Sequence, residues 1–325
     1  MKEILTVNPV CQKIVNDLHA TSNKDVVLLQ APYPWKKSFE NDIREYLARN
    51  DEVVVLVSEL HNDIANVITR LEDPRLHFFT CGFVNNVDTH QWIDWFSISK
   101  ESYRLTSPYM ELHPYEPKPR YFDLLLGQNK PHRQYVYDWI VNNKYEDRVI
   151  MSYIKERGTE LANTDWIWEP GIESDKDIRW TVDTVKFKGR PMSLSQIIPS
   201  SVYNETAYSV VAETNFDNHY SFYTEKIAKP ILAERLFVVF SGKGYLENLR
   251  KLGFKTFDGI IDESYDLVED HWERFDQCLE QIKYLMSRPQ EEILEKIIPI
   301  TVHNKQVMIE TDWYDKLLQK IRTII

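Results

Sequence analysis

Three short apolar runs alternate with helical segments in the first eighty residues, and this rhythm constrains the chain more than any other feature. Asp25-Val-Val-Leu-Leu-Gln30 stops at the rigid loop Ala31-Pro-Tyr-Pro-Trp35, and Glu52-Val-Val-Val-Leu-Val57 and Leu76-His-Phe-Phe-Thr80 follow. Runs of this length, bounded by turn residues, read as strands buried on both faces. Between them, 38–49 has helical spacing with Ser38 as N-cap, and a second helix is expected around 62–71. Strand–helix–strand–helix–strand implies a parallel sheet covered on both sides. Residues 83–103 are aromatic and expected to be helical in part.

At 325 residues the chain has room for two domains. Pro108, Pro114, Pro117 and Pro119 interrupt regular patterning and suit an interdomain connection, which places domains at 1–117 and 118–325. In the second domain, strands are expected at 121–126, 149–153, 207–212 and 236–240, with strand-like pieces at 254–257 and 259–261. Helices are expected over 131–143, from about 225, over 244–252 and 265–285, and in the tail after 288. The fold class is therefore α/β, with two Rossmann-like domains facing a central cleft where ligands of such sheets bind.

Charge and cysteine usage narrow the function. With 39 basic against 50 acidic residues, the net charge is −11, which disfavours non-specific binding to a phosphate backbone. Cys11, Cys81 and Cys278 lie far apart without metal-ligand spacing, so a reducing compartment is the simplest setting. The start lacks a signal-peptide apolar region and no run approaches the roughly 20 apolar residues of a membrane span, so a cytoplasmic protein is expected. Asn204-Glu-Thr206 then reads as a chance glycosylation sequon. An NAD-linked oxidoreductase is poorly supported because no Gly-x-Gly-x-x-Gly follows the first strand, and Ser241-Gly-Lys-Gly244 is too short for a P-loop. Asp175-Lys-Asp177 fits an Asp-x-Asp metal pattern, but no apolar strand precedes it and it reads as a solvated charge cluster.

The chemistry concentrates in 207–240. Glu213 ends the strand 207–212, where a ligand would be met. Thr224 is placed to cap a short helix whose N-terminal N–H groups suit phosphate oxygens. Lys226 adds a mobile cation, and Glu225 can accept two hydrogen bonds from a ribose diol. These groups match a nucleoside-diphosphate sugar, although Glu-Lys pairs in a first helical turn are also ordinary on solvated helices.

The order Glu213-Thr-Asn215, a loop, Tyr223-Thr-Glu-Lys226, a helix and Leu236-Phe-Val-Val-Phe240 resembles the donor-binding signature of the α1,3-fucosyltransferase-like glycosyltransferases. That pattern runs Phe-Glu-Asn-Ser, a gap, Tyr-Val-Thr-Glu-Lys and a helix ending in Ala-Gly. Tyr223 falls where the pattern has Val, and Ala233-Glu-Arg235 replaces Ala-Gly. Upstream, Leu125-Leu-Gly-Gln-Asn-Lys-Pro-His-Arg133 resembles the family's strand, Ser-Asn and Arg before a helix, with Asn129 and Arg133 matching. Similar segments occur in predicted glycosyltransferases of bacteriophages. The resemblance covers 121–262 at best.

It implies a GT-B enzyme, inverting and metal-independent, that moves a sugar from a GDP- or UDP-linked donor to a hydroxyl acceptor. The acceptor would be a glycan or a hydroxymethylated base of phage DNA. Arg133 and Lys226 would neutralise the departing diphosphate, and Glu225 would hold the ribose. Glu213, Asn215, Tyr223, Thr224 and Asn129 would complete the donor site. A general base is expected from the N-terminal domain, with Glu59 first and Asp88, Asp94 and His61 as rivals. Tyr33 and Trp35 are the expected acceptor platform; Trp92 and Trp95 fit a core more readily. The alternative is a nucleotide-sugar-binding or assembly protein without turnover.

Overall fold

The computed structural model describes residues 4–6, 9–18, 22–32, 34–156, 159–160, 171–173 and 184–325. Tyr33, Asp175 and Asp177 lie outside the described residues. The elements begin with β1 (Leu5–Thr6), α1 (Pro9–Leu18), β2 (Val26–Gln30), α2 (Ser38–Leu47) and β3 (Glu52–Val57). Next are α3 (Asn62–Arg70), β4 (Leu76–Thr80), β5 (Gly82–Val84), β6 (His90–Gln91) and α4 (Asp94–Thr106). There follow β7 (Arg120–Gln128), α5 (Pro131–Asn142), β8 (Val149–Glu156), β9 (Thr159–Glu160), β10 (Ile172–Glu173), β11 (Thr184–Phe187) and β12 (Arg190–Ser193). After α6 (Ser200–Tyr203) come β13 (Thr206–Ala212), β14 (Tyr220–Phe222), α7 (Glu225–Leu232), β15 (Phe237–Phe240) and α8 (Tyr245–Lys251). The chain closes with α9 (His271–Met286), α10 (Gln290–Glu310) and α11 (Trp313–Arg322).

Two compact α/β units result. Unit 1 holds residues 1–97, 217–223 and 312–325; unit 2 holds 98–216 and 224–311. In unit 1 the strands β1, β2, β3, β4 and β6 lie side by side, all parallel. Alternate residues of β3 leave the sheet on opposite faces. Val53, Val55 and Val57 pack with Ile43 of α2 and Ile64 of α3, while Val54 and Leu56 pack with Ile14 of α1 and Leu317 and Ile321 of α11. Burial on both faces is why the sequence shows an unbroken apolar run here. Ser38 is the first residue of α2 rather than its cap; Lys37 holds the cap position without a side-chain bond.

The expected boundary near residue 117 is corrected. The proline-bearing stretch is tied into unit 2 rather than left as a linker. Asn204 accepts from the His113 N–H at 3.1 Å and donates to the Glu111 carbonyl at 2.7 Å. Lys118 exchanges backbone hydrogen bonds with the Gln290 amide at 2.6 and 3.0 Å. The segment 217–223, read from the sequence as a polar loop and helix lead, instead returns to unit 1 and pairs β14 antiparallel with β5. Gly82 makes that pairing possible, because a Cβ there would stand 1.8 Å from the Ser221 carbonyl oxygen. The expected strands at 254–257 and 259–261 are absent; only an isolated bridge joins Asp258 and Ile261.

Unit 2 carries the sheet that positions the candidate site, in the order β15-β13-β7-β8-β9. All pairs are parallel except β8 with β9. The chain steps from β7 to β8 on one side, then returns to the other side of β7 for β13 and β15. The strand order therefore reverses at the β7–β13 boundary. In open parallel sheets the turns that leave such a boundary diverge and open a crevice at the carboxyl ends of the strands. No helix among the described residues is long and apolar enough to cross a membrane.

Candidate functional site

The turns after β7 and β13 meet at this switch point. The turn after β7 leads to α5, where Pro131 occupies the first helical position and Lys130 caps without a side-chain bond. Arg133, in the first turn of α5, is 4% exposed. Its Nη1 donates to the Gln128 carbonyl at 3.1 Å, and its Nη2 to the carbonyls of Ala212 and Glu213 at 3.3 and 3.1 Å. The guanidinium thus bridges the ends of β7 and β13. Its Nε is buried without a partner, and among the described residues no carboxylate pairs with it. Burial pushes its pKa down to about 10, with the charges of Glu213 and Glu225 acting the other way, so it stays protonated at neutral pH.

Neighbouring side chains converge on the same three residues, 212–214. His132, fully buried, places its Nε2 at 2.8 Å from the Glu213 carbonyl, so Nε2 carries the proton and Nδ1 is left unprotonated and unpartnered. Burial, followed by the charge of Arg133, pushes the His132 pKa down to about 3. Lys130 Nζ donates to the Thr214 carbonyl. From α7, Lys226 Nζ reaches the Thr214 hydroxyl at 3.2 Å. Three cations from two separate turns are therefore gathered on one short segment.

Glu213, expected at the ligand, has its carboxylate engaged within the protein. It is fully buried, and its carboxylate accepts from the Thr224 hydroxyl and the Tyr245 hydroxyl, both at 2.8 Å, and from the Thr214 N–H at 3.1 Å. Burial raises its pKa above the ordinary carboxylate value, against the pull of Lys226. The hydrogen-bonding direction follows from this. The Thr224 hydroxyl gives its proton to Glu213, so its lone pairs face the Lys226 N–H at 3.2 Å and Nζ at 3.4 Å. Thr224 is thereby the N-cap of α7, as the sequence indicated.

Glu225 and Lys226 form an ion pair at 2.9 Å, with side chains 10% and 24% exposed. Burial alone would raise the Glu225 pKa, but Lys226 and Lys229 together hold it below the ordinary value. Lys226 is therefore paired within the site itself rather than with an outlying surface group.

Other expected site residues have different fates. Tyr223 is a core residue of unit 1, fully buried near the rings of Phe96 (6.0 Å) and Phe83 (6.4 Å), with its N–H on the Cys81 carbonyl. Its assignment to the donor site is corrected for that reason. Asn129 is exposed, and its side-chain oxygen accepts from the Tyr153 hydroxyl at 2.7 Å. The Asn215 carbonyl accepts from Ser241 at 3.4 Å. Sequence reasoning missed Lys130, His132 and Tyr245. The first two lie inside the quoted segment 125–133, but nothing in their spacing marks them.

The substitution of Ala-Gly by Ala233-Glu234-Arg235 has a structural account. Glu234 has φ 57°, the left-handed position after a helix that favours glycine. The Tyr115 hydroxyl at 2.5 Å and Lys305 Nζ at 2.6 Å hold its carboxylate. Arg235, 2% exposed, pairs with buried Asp123 at 2.9 Å and donates to Ser209 and the carbonyls of Tyr203, Thr206 and Tyr208.

In unit 1, Glu59, His61, Cys81 and Asp94 follow or lie near the carboxyl ends of β3, β4 and β6. Burial pushes the Cys81 thiol up, and the charges of Glu59 and Asp94 act in the same direction. Burial also holds Asp94 above the usual carboxylate range and His61 below its usual value. Asp88 is exposed. Trp35 is half-buried with its ring 6.5 Å from His61 and 5.5 Å from Phe39. Trp92 is buried in the core beside β2–β4. No protein-family model matches this chain, and no curated protein matches it in sequence.

Proposed function

We propose that unit 2 binds the nucleoside-diphosphate part of a sugar donor, and that the chain is an inverting glycosyltransferase of GT-B type. The sugar goes to a hydroxyl acceptor, a glycan or the hydroxymethylated base of a viral DNA. One observation carries this reading: Arg133 is a buried cation, fixed by backbone carbonyls at the switch point, without a carboxylate partner among the described residues. Holding an uncompensated charge in that place costs stability, and an anionic ligand supplies the missing compensation. Lys226 and Lys130 on the adjoining residue Thr214 extend the positive field beyond Arg133.

In the reaction, Arg133 and Lys226 stabilise the negative charge that develops on the leaving diphosphate, the part a metal ion takes in other enzymes. Preorganised donors of this kind are worth about 10²–10³ in rate each. Glu225 turns from Lys226 to the ribose diol as Lys226 turns to phosphate. Proton removal from the acceptor hydroxyl falls to a carboxylate following the unit 1 strands, Glu59 or Asp94. Trp35 supplies an apolar face for the acceptor.

The test is a panel of nucleotides read by thermal shift and calorimetry, then transfer from the matching sugar donor to glycans and to DNA with hydroxymethylated bases. Stabilisation by GDP or UDP, lost in Arg133→Met, supports the reading. Donor binding without turnover on any acceptor would leave a nucleotide-sugar-binding protein, the other class. No stabilisation by any nucleoside diphosphate would overturn both.

A further inference from the structure

A small, part-open cavity lies against α7, walled by β7 and β13 and lined by Asp123, Leu125, Ala212, Lys226, Lys229 and Pro230. Lys226 and Lys229 stand one turn apart on α7 and so share its face. Ala212, whose carbonyl binds Arg133, lies on the wall of the same cavity, so the cavity adjoins the switch-point site.

Lys229 differs from its neighbours. Lys226 Nζ has Glu225, Thr214 and Thr224, whereas the Lys229 side chain makes no hydrogen bond or ion pair among the described residues. The nearest carboxylates are already engaged: Asp123 by Arg235 and Ser209, and Glu225 by Lys226. Burial lowers the Lys229 pKa, with Glu225 opposing. The Lys229 ammonium is half-buried at the cavity and has no partner there among the described residues, and a packing role would be filled better by Met or Leu.

We infer that the cavity against α7 is an anion site in which Lys229 is the inner cation, contacting the second phosphate of a diphosphate. This deepens the nucleotide-sugar reading and rests on it for the identity of the ligand. Lys229 then distinguishes a diphosphate from a monophosphate, since Arg133 and Lys226 suffice for one phosphate.

The experiment uses inorganic pyrophosphate and orthophosphate as probes, with calorimetry and thermal melting of the full chain, the K229M variant and the K229R variant. Pyrophosphate should bind the unsubstituted chain, and K229M should weaken it about tenfold while leaving orthophosphate within about threefold. The ligand-free melting temperature of K229M should equal or exceed that of the unsubstituted chain, because a half-buried unpaired charge is gone. K229R, which keeps the charge, should restore pyrophosphate binding and guards against loss of fold in K229M. Unchanged pyrophosphate affinity in K229M overturns the inference while leaving the nucleoside-diphosphate reading intact. A chain that binds neither pyrophosphate nor any nucleoside diphosphate overturns both. Lys229-dependent pyrophosphate binding without sugar transfer supports the anion site and removes the proposed reaction.

Discussion

Arg133 and Glu213 meet side chain to backbone, not charge to charge. The guanidinium Nη2 lies 3.1 Å from the Glu213 carbonyl oxygen, while the Glu213 carboxylate is taken by Thr224, Tyr245 and Thr214. The acid that could have neutralised Arg133 is thus committed to holding the turn into α7. Arg133→Met should weaken nucleoside-diphosphate binding by about 10² and cost about 1–3 kcal/mol of stability, because three carbonyls lose their donor. Arg133→Lys keeps the charge but not the bridge between strands, and should recover only part of the affinity. Calorimetry and urea unfolding of both variants check this.

Thr224 joins the buried acid to the helix that carries Lys226. Thr224→Val keeps the shape and removes both the cap and the donor to Glu213. A loss of about 1–3 kcal/mol in urea unfolding is expected, with weakened diphosphate binding, and Thr224→Ser should restore both. Equal losses in the Val and Ser variants would show that the hydroxyl is not the active part.

His132 makes the fold acid-sensitive. Its pKa is near the ordinary 6.5 when unfolded and about 3 when folded, so the unfolded chain binds the extra proton between those values. Its contribution is complete above about pH 6.5 and is lost as pH falls toward 3, the loss reaching on the order of 5 kcal/mol at the acid end. Buried carboxyls with raised pKa, such as Glu213 and Asp123, act with the opposite sign. The comparison with His132→Gln isolates the histidine: the variant should lose less stability between pH 6.5 and 4, measured by urea unfolding at each pH.

The longer strands of the two five-stranded sheets were legible because residues buried on both faces leave unbroken apolar runs, as in 53–57 and 207–212, whereas the two-residue strands β1, β6 and β9 were not. Thr224 was legible as a cap because Thr before an acidic first turn has a direct backbone consequence. Domain membership was not. Prolines mark where a helix stops, and say nothing about whether Asn204, Gln290 or Glu234 will tie the stretch down. Three-residue strands such as β5 and β14 fall below the length at which alternation can be read, and their pairing is long-range. The direction of the Glu213 carboxylate depends on Tyr245, thirty-two residues later, so no local pattern carries it. Tyr223 shared the segment of the donor motif yet belongs to the core of the other unit.

Glu234 separates backbone strain from side-chain bonding. Glu234→Ala loses the bonds to Tyr115 and Lys305 and keeps a Cβ at φ 57°. Glu234→Gly loses the same bonds and relieves the backbone, so it should be about 1 kcal/mol more stable than the Ala variant. Thermal melting of the pair reads the difference directly.

Gly82→Ala should be among the most damaging small substitutions. The added methyl would collide with the Ser221 carbonyl, a backbone atom that cannot rotate away. A loss of about 2–3 kcal/mol or more is expected, with faster amide exchange at β14 as the local signature.

Because 217–223 leaves unit 2, joins the sheet pairing of unit 1 and comes back at Thr224, neither body corresponds to one uninterrupted stretch of gene. A crossover between related genes at any single point would sever one body or the other. Exchange of unit 2 alone by recombination therefore needs four breakpoints, two of them flanking this excursion, and the acid of Glu213 must travel together with the hydroxyl of Thr224 that lies beyond it.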